Sequence, residues 1–219
     1  MENEITALEV RLHAILNPSE QPESNVDLVN SVEELQADII QKISSGYQID
    51  KETAPILNHL IEINRWGFIT FESQPAMSEP LYGNSIWIKR AYVNGLYPRE
   101  LVPYLASRLI TTNPNIIISE TLLHQTPQKD QLQLYNFRDT DRETSVYGLY
   151  PMAESHENGK IKYFDGYSGN ITTPAIREDY MEDFNQNLMR DIYNKQMSLI
   201  QIWSRNINDN IFPLILSVL

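Results

Sequence analysis

The chain has 219 residues, 42% of them apolar, with 17 basic against 29 acidic side chains and a net charge of −12. That length suits one domain able to bury a core without staples, and that charge repels phosphate backbones, which disfavours non-specific nucleic-acid binding. With no cysteine there is no disulfide, thiolate metal site or cysteine nucleophile, a composition that fits a reducing compartment.

The first residues, Met1-Glu-Asn-Glu-Ile5, are acidic and lack the basic and apolar regions of a signal peptide. No apolar run reaches the roughly 18–20 residues of a membrane span. The expectation is a soluble, cytoplasmic protein with neither a membrane nor a nucleic acid as partner.

Residues 4–16 place Ile5, Leu8, Leu12, Ile15 and Leu16 at helical spacing, and the proline-bearing stretch 17–25 reads as a linker. Ser31 and Glu34 form a capping box ahead of a second helix with Val32, Leu35, Ile39, Ile40 and Ile43 on its apolar face. Residues 1–46 therefore read as a helical N-terminal section and 47–219 as an α+β core. A third helix starts near Asp50, buries Ile56, Leu57, Leu60, Ile61 and Ile63, and stops at Gly67.

Phe68 to Phe71 reads as a short strand and Pro75 to Asn84 as a loop. Ser85 to Leu96 reads as one continuous strand. Pro98 to Ile110 is a helix whose start is pushed later by Pro103, and Ile116 to Leu123 is a strong strand. Thr126 to Arg142 is polar and mixed. Two strands, Ser145–Pro151 and Lys160–Tyr167, flank a turn-like 154–159. A helical region opens at Thr173 and runs to about Tyr193. Residues 196–203 fit neither period, and the apolar tail 211–219 reads as a docked terminal element. Neighbouring strands joined by short loops favour antiparallel pairing, so the fold class is α+β, with a mainly antiparallel central sheet flanked by helices.

Candidate chemistry concentrates where a strand gives way to a loop, the place where a rigid backbone can aim functional groups. There Ser73 is a candidate nucleophile, Glu72 a general base and Gln74 a hydrogen-bonder of substrate. The competing and favoured reading of Ser73-Gln74-Pro75 is a turn that uses these side chains on its own backbone, and no glycine makes a hydrolase elbow around the serine. Arg90 and Tyr92, two apart on the expected strand, would share a face and could hold an anionic or planar group.

The histidines, at 13, 59, 124 and 156, make no close pair, and the acidic run Asp139 to Glu143 lacks the glycine and distal glutamate of a calcium loop. No metal and no cofactor is expected, and the glycine-rich phosphate loops are absent.

Arg65-Trp-Gly-Phe-Ile-Thr-Phe-Glu-Ser-Gln-Pro75 resembles the N-[RK]-x-G-F-[IV]-T-x-x-S-Q-[PA] segment of a family of small uncharacterised domains in bacteria and large DNA viruses. Lys89-Arg-Ala-Tyr-Val-Asn-Gly-Leu96 is similar to that family's downstream Q-R-A-x-V-x-G-[FY] segment, with Lys89 in place of the usual glutamine. Trp203-Ser-Arg205 is similar to a W-G-R segment, with serine for glycine. The likeness covers roughly Thr53 to Ile118. It implies a shared fold unit and draws Ser73, Gln74, Arg90, Trp203 and Arg205 together, without implying an activity.

The leading expectation is a binding domain for a small anionic or planar ligand, using Ser73, Gln74 and Arg90 with Tyr92 or Trp203 as a stacking wall. One alternative is a transferase or hydrolase working through Ser73 or Glu72. The other is an acidic interaction protein, an effector or inhibitor, that meets a protein partner through its N-terminal helices.

Overall fold

The computed structural model describes residues 29–45, 53–80, 86–124, 131–138, 145–146, 150–151, 154–157, 160–163, 184–206 and 208–219. The helix expected over 4–16, the linker after it, the Asp50 cap and the acidic run 139–143 lie outside them.

Helix α1 (Val32–Ser44) begins where the capping box puts it: Ser31 Oγ accepts from Glu34 N at 3.2 Å. The Glu34 carboxylate reaches back one residue further than the box requires and accepts from Asn30 N at 2.7 Å. A single 3-10 turn (Ala54–Ile56) leads into α2 (Leu57–Arg65). Gly67, at φ +89, ends α2: its N–H donates to Asn64 O, and Phe68 N–H donates to Ile63 O. These two bonds define a Schellman cap, which needs a residue without a Cβ penalty in the left-handed region.

The central sheet is antiparallel throughout, in the order β1 (Ile69–Gln74), β4 (Tyr92–Pro98), β11 (Met197–Ser204), β5 (Ile116–Leu122), β6 (Gln131–Tyr135). A second antiparallel sheet runs β10 (Lys160–Tyr163), β9 (Glu154–Glu157), β3 (Ile86–Lys89), β2 (Met77–Pro80), and β7 (Ser145–Val146) pairs with β8 (Tyr150–Pro151). The α+β class and the antiparallel central sheet thus hold. The remaining helices are α3 (Val102–Thr112), with Pro103 in its first turn, α4 (Gln186–Asn194) and α5 (Ile211–Leu216).

Several stretches differ from the sequence reading, among them 145–151, which holds β7 and β8 paired with each other rather than one strand. The stretch 85–96 is two strands in two sheets, broken at Arg90–Ala91. The expected loop 75–84 contains β2, the polar stretch 126–142 contains β6, and the turn-like 154–159 contains β9. Residues 197–204 form the centre of the main sheet, and all eight are buried. A strand covered on both faces loses the alternation that would reveal it.

One core joins the apolar faces of α1 to α5 to the sheet, and it includes Leu35, Ile39, Leu60, Ile63, Leu109, Ile192 and Phe212. The tail is docked, with Ile211, Phe212 and Ile215 fully buried. Helix α1, part of the helical N-terminal section read from sequence, lies in this same core through Val32, Leu35, Ile39 and Ile43. Asn64 ties α2 to β1: its Nδ2 donates to Leu60 O and Thr70 Oγ1, and its Oδ1 accepts from Thr70 N at 3.0 Å. No helix among the described residues is long and apolar enough to cross a membrane.

Candidate functional site: a polar row across the central sheet

Residues directly opposed in an antiparallel ladder project from the same face. The register opposes Glu72 to Asn94, Asn94 to Gln201 and Gln201 to Ser119. Four polar side chains therefore make one row across β1, β4, β11 and β5. One step along each strand lies a second row on the same face, Gln74, Tyr92, Trp203 and Ile117.

A bulge puts Glu72 in the first row. Thr70 opposes Gly95 and Glu72 opposes Asn94, so Phe71 is the inserted residue. Without the insertion Glu72 would oppose Val93 and project from the other face. Bulges re-aim side chains in this way. Phe71 turns into the core, its ring edge-on to Phe184 at 5.6 Å.

Asn94 and Gln201 are completely buried, and Ser119 is nearly so. The Glu72 carboxylate accepts from Tyr92 OH at 2.5 Å and from Asn94 Nδ2 at 3.0 Å. The remaining Asn94 oxygen has no hydrogen-bond partner among the described residues, and neither has either amide atom of Gln201. Exchanging the oxygen and nitrogen of Gln201 changes nothing, because both positions lack a partner. A buried polar atom left unpaired costs about 1–3 kcal/mol, so three of them side by side form an unusual concentration.

Trp203 and Ile117 of the second row form a small apolar cluster with Tyr92, Leu132, Leu134 and Phe137, separate from the main core. Tyr92 and Trp203 thus stand next to the polar row in register, and Leu134 continues the row onto β6 opposite Ser119.

The seven residues singled out from sequence distribute as follows. Glu72, Gln74, Tyr92 and Trp203 share this face. Ser73 opposes Val93 and so projects from the other one. Arg90 lies between β3 and β4 rather than on a strand, so strand alternation does not pair it with Tyr92; it is buried, and its Nε donates to Arg205 O at 3.4 Å. Gln74 Nε2 donates to Arg90 O at 3.1 Å. The Arg205 guanidinium donates to the carbonyls of Pro114 and Asn136. Arg90, Gln74 and Arg205 meet through main-chain carbonyls at one end of the sheet.

Asn94, Gln201 and Ser119 escaped the sequence reading. For Asn94 and Gln201 the signal is a polar residue inside an apolar strand, as in Ile200-Gln-Ile202, whereas Ser119 opens the polar run Ser119-Glu-Thr121, and only the register shows that the three coincide.

On the opposite face a second carboxylate is fully paired. Glu120 is buried and accepts from Ser198 Oγ and from Tyr135 OH, both at 2.7 Å. Burial raises the pKa of the Tyr135 phenol well above its ordinary value, and the bond to Glu120 and the charge of that carboxylate push it the same way. A raised folded-state pKa adds stability that is complete below the unfolded value near 10 and is lost as pH rises from there toward the folded value. Tyr135→Phe is therefore expected to flatten the decline of stability above about pH 10, read from urea midpoints taken across that range. An unchanged slope would contradict this role.

Among the described residues no three metal-ligating side chains cluster. Residues 35–121 match the family model of a domain of unknown function (DUF6919). The match includes Glu72, Asn94 and Ser119 and ends before Gln201. No curated protein matches the chain.

Proposed function

We propose that this chain is a binding protein for a small planar ligand, held on the sheet face that carries Glu72, Asn94, Gln201 and Ser119, with Tyr92 and Trp203 beside it. The observation that carries the reading is the Gln201 amide, buried at the centre of the sheet with both polar atoms unpartnered. A fold that retains such a group gives up stability at that point, and the group recovers its hydrogen bonds when a ligand supplies the missing donors and acceptors.

The test is a melting comparison of the wild type and Gln201→Leu, each alone and with a low-molecular-mass cell extract. Leucine removes the unpaired amide at similar volume, so the ligand-free variant is expected to melt about 3–6 °C higher. The wild type is expected to rise with extract, because a ligand of the native state must stabilise it, and the variant is not. A ligand-free variant that melts lower would show the amide to be structurally satisfied and would remove the basis of the proposal.

A further inference from the structure

We infer that the ligand is neutral and presents a planar edge with a hydrogen-bond donor beside an acceptor, the edge of a carboxamide or a nucleobase. This rests on the binding reading above and names the chemistry of the same site.

The hydrogen-bonding capacity still open along the row sets the class. Asn94 Oδ1 can only accept, and one N–H of its Nδ2 goes to Glu72. Gln201 offers one acceptor and two donors, none of them used. A ligand that satisfies both residues must bring an N–H or O–H for the two oxygens and an acceptor for the Gln201 amine. A planar amide does this with adjacent atoms in one plane, and so does the edge of a purine or pyrimidine. A glutamine or asparagine side chain reading an adenine edge by two parallel bonds is the same geometry.

Charge excludes the anionic half of the sequence expectation at this row. Glu72 stands at its end with its two oxygens on Tyr92 and Asn94, and a second anion beside it would meet that charge in buried surroundings. The net charge of −12 opposes an anion as well.

Shape agrees with charge. Tyr92 and Trp203 occupy the neighbouring row, so a ligand whose edge meets Asn94 and Gln201 extends its ring toward two aromatic side chains. Aromatic faces take planar heterocycles without demanding one sequence of ring atoms.

The experiment is a calorimetric titration of the full chain with nicotinamide, adenine, nicotinate and inorganic phosphate, repeated on Gln201→Leu and Asn94→Leu. Nicotinamide and nicotinate share a ring and differ only in an amide against a carboxylate. The expected result is binding of nicotinamide or adenine, weakened at least tenfold by Gln201→Leu, with nicotinate at least tenfold weaker than nicotinamide. Preference for adenine would mark a nucleobase edge, and preference for nicotinamide a carboxamide, both within the proposed class. Gln201-dependent binding of nicotinate or phosphate equal to or tighter than that of nicotinamide would overturn the class and leave the site standing. Absence of binding by all four probes, with no response of the wild type to cell extract, would overturn both.

Discussion

Gly95→Ala is expected to leave little folded protein. Gly95 sits in β4, opposed on one side to Thr70 and on the other to Ile200, in the middle of the central sheet. A Cβ there would lie 2.8 Å from the Ile69 carbonyl carbon and 2.8 Å from Phe68 Cε2, and closer still to the Ile69 oxygen. Real Cβ atoms do not approach backbone so closely, and the obstacle is main chain, which cannot rotate aside as a side chain can. Strand β1 would have to leave β4 just beside the bulge that sets Glu72 against Asn94. The cost should be about 4 kcal/mol or more, the range reached when a named steric conflict sits in the core. Gly67→Ala provides the contrast. Gly67 has open space where its Cβ would go but a φ of +89, so the substitution should cost about 1–2 kcal/mol. Urea denaturation of the two variants separates lack of room from lack of conformational freedom. A Gly95→Ala protein as stable as Gly67→Ala would refute the close packing of β1 on β4.

The contrast between these glycines shows what a single sequence exposes. Gly67 follows a helix with apolar periodicity, and its role as a stop is local, so it was legible. Gly95 matters only because Phe68 and Ile69 come against it, a contact made by pairing two strands. The same division runs through the fold. Ser31 and Glu34 mark the start of α1 because capping acts over three residues. The centre of the sheet, β11, stayed ambiguous because burial of both faces erased its alternation, and edge strand β6 was hidden in a polar stretch. In the site, Glu72, Tyr92 and Trp203 drew attention as reactive or aromatic side chains. Their placement on a common face depends on the Phe71 bulge and on a register that no residue announces. Ser73, equally prominent in the sequence, falls on the other face for the same reason. Asn94 and Gln201 are inconspicuous one at a time and become a site only when the ladder places them side by side.

A chain beginning at residue 47 is expected to lack a folded core, although the sequence reads 1–46 as a section of its own. Helix α1 buries Val32, Leu35, Ile39 and Ile43, each no more than 6% exposed, in the core that α2, α4 and the sheet complete. Burial of four aliphatic side chains is worth roughly 6–12 kcal/mol, comparable to the whole stability of a typical domain. The polar contacts agree: Val32 N donates to Asp191 Oδ2 at 2.7 Å, Asn185 Nδ2 to Val29 O at 2.6 Å, and Gln36 Nε2 to Asn64 O. The Lys195–Glu33 pair is largely exposed and adds little. The truncated chain should show no cooperative melting by circular dichroism, and Leu35→Ala with Ile39→Ala in the full chain should lower the urea midpoint sharply. A truncated protein that melts cooperatively would support the two-part division. The consequence for partners is direct. The apolar face of α1 is already spent on the core, and its exposed positions, Glu33, Glu34, Ala37, Gln41 and Ser44, are mostly polar or charged. A protein partner meeting this helix would have to recognise that outer face by hydrogen bonds and charge, since detaching α1 to offer its leucine and isoleucines would unfold the sheet that carries the polar row.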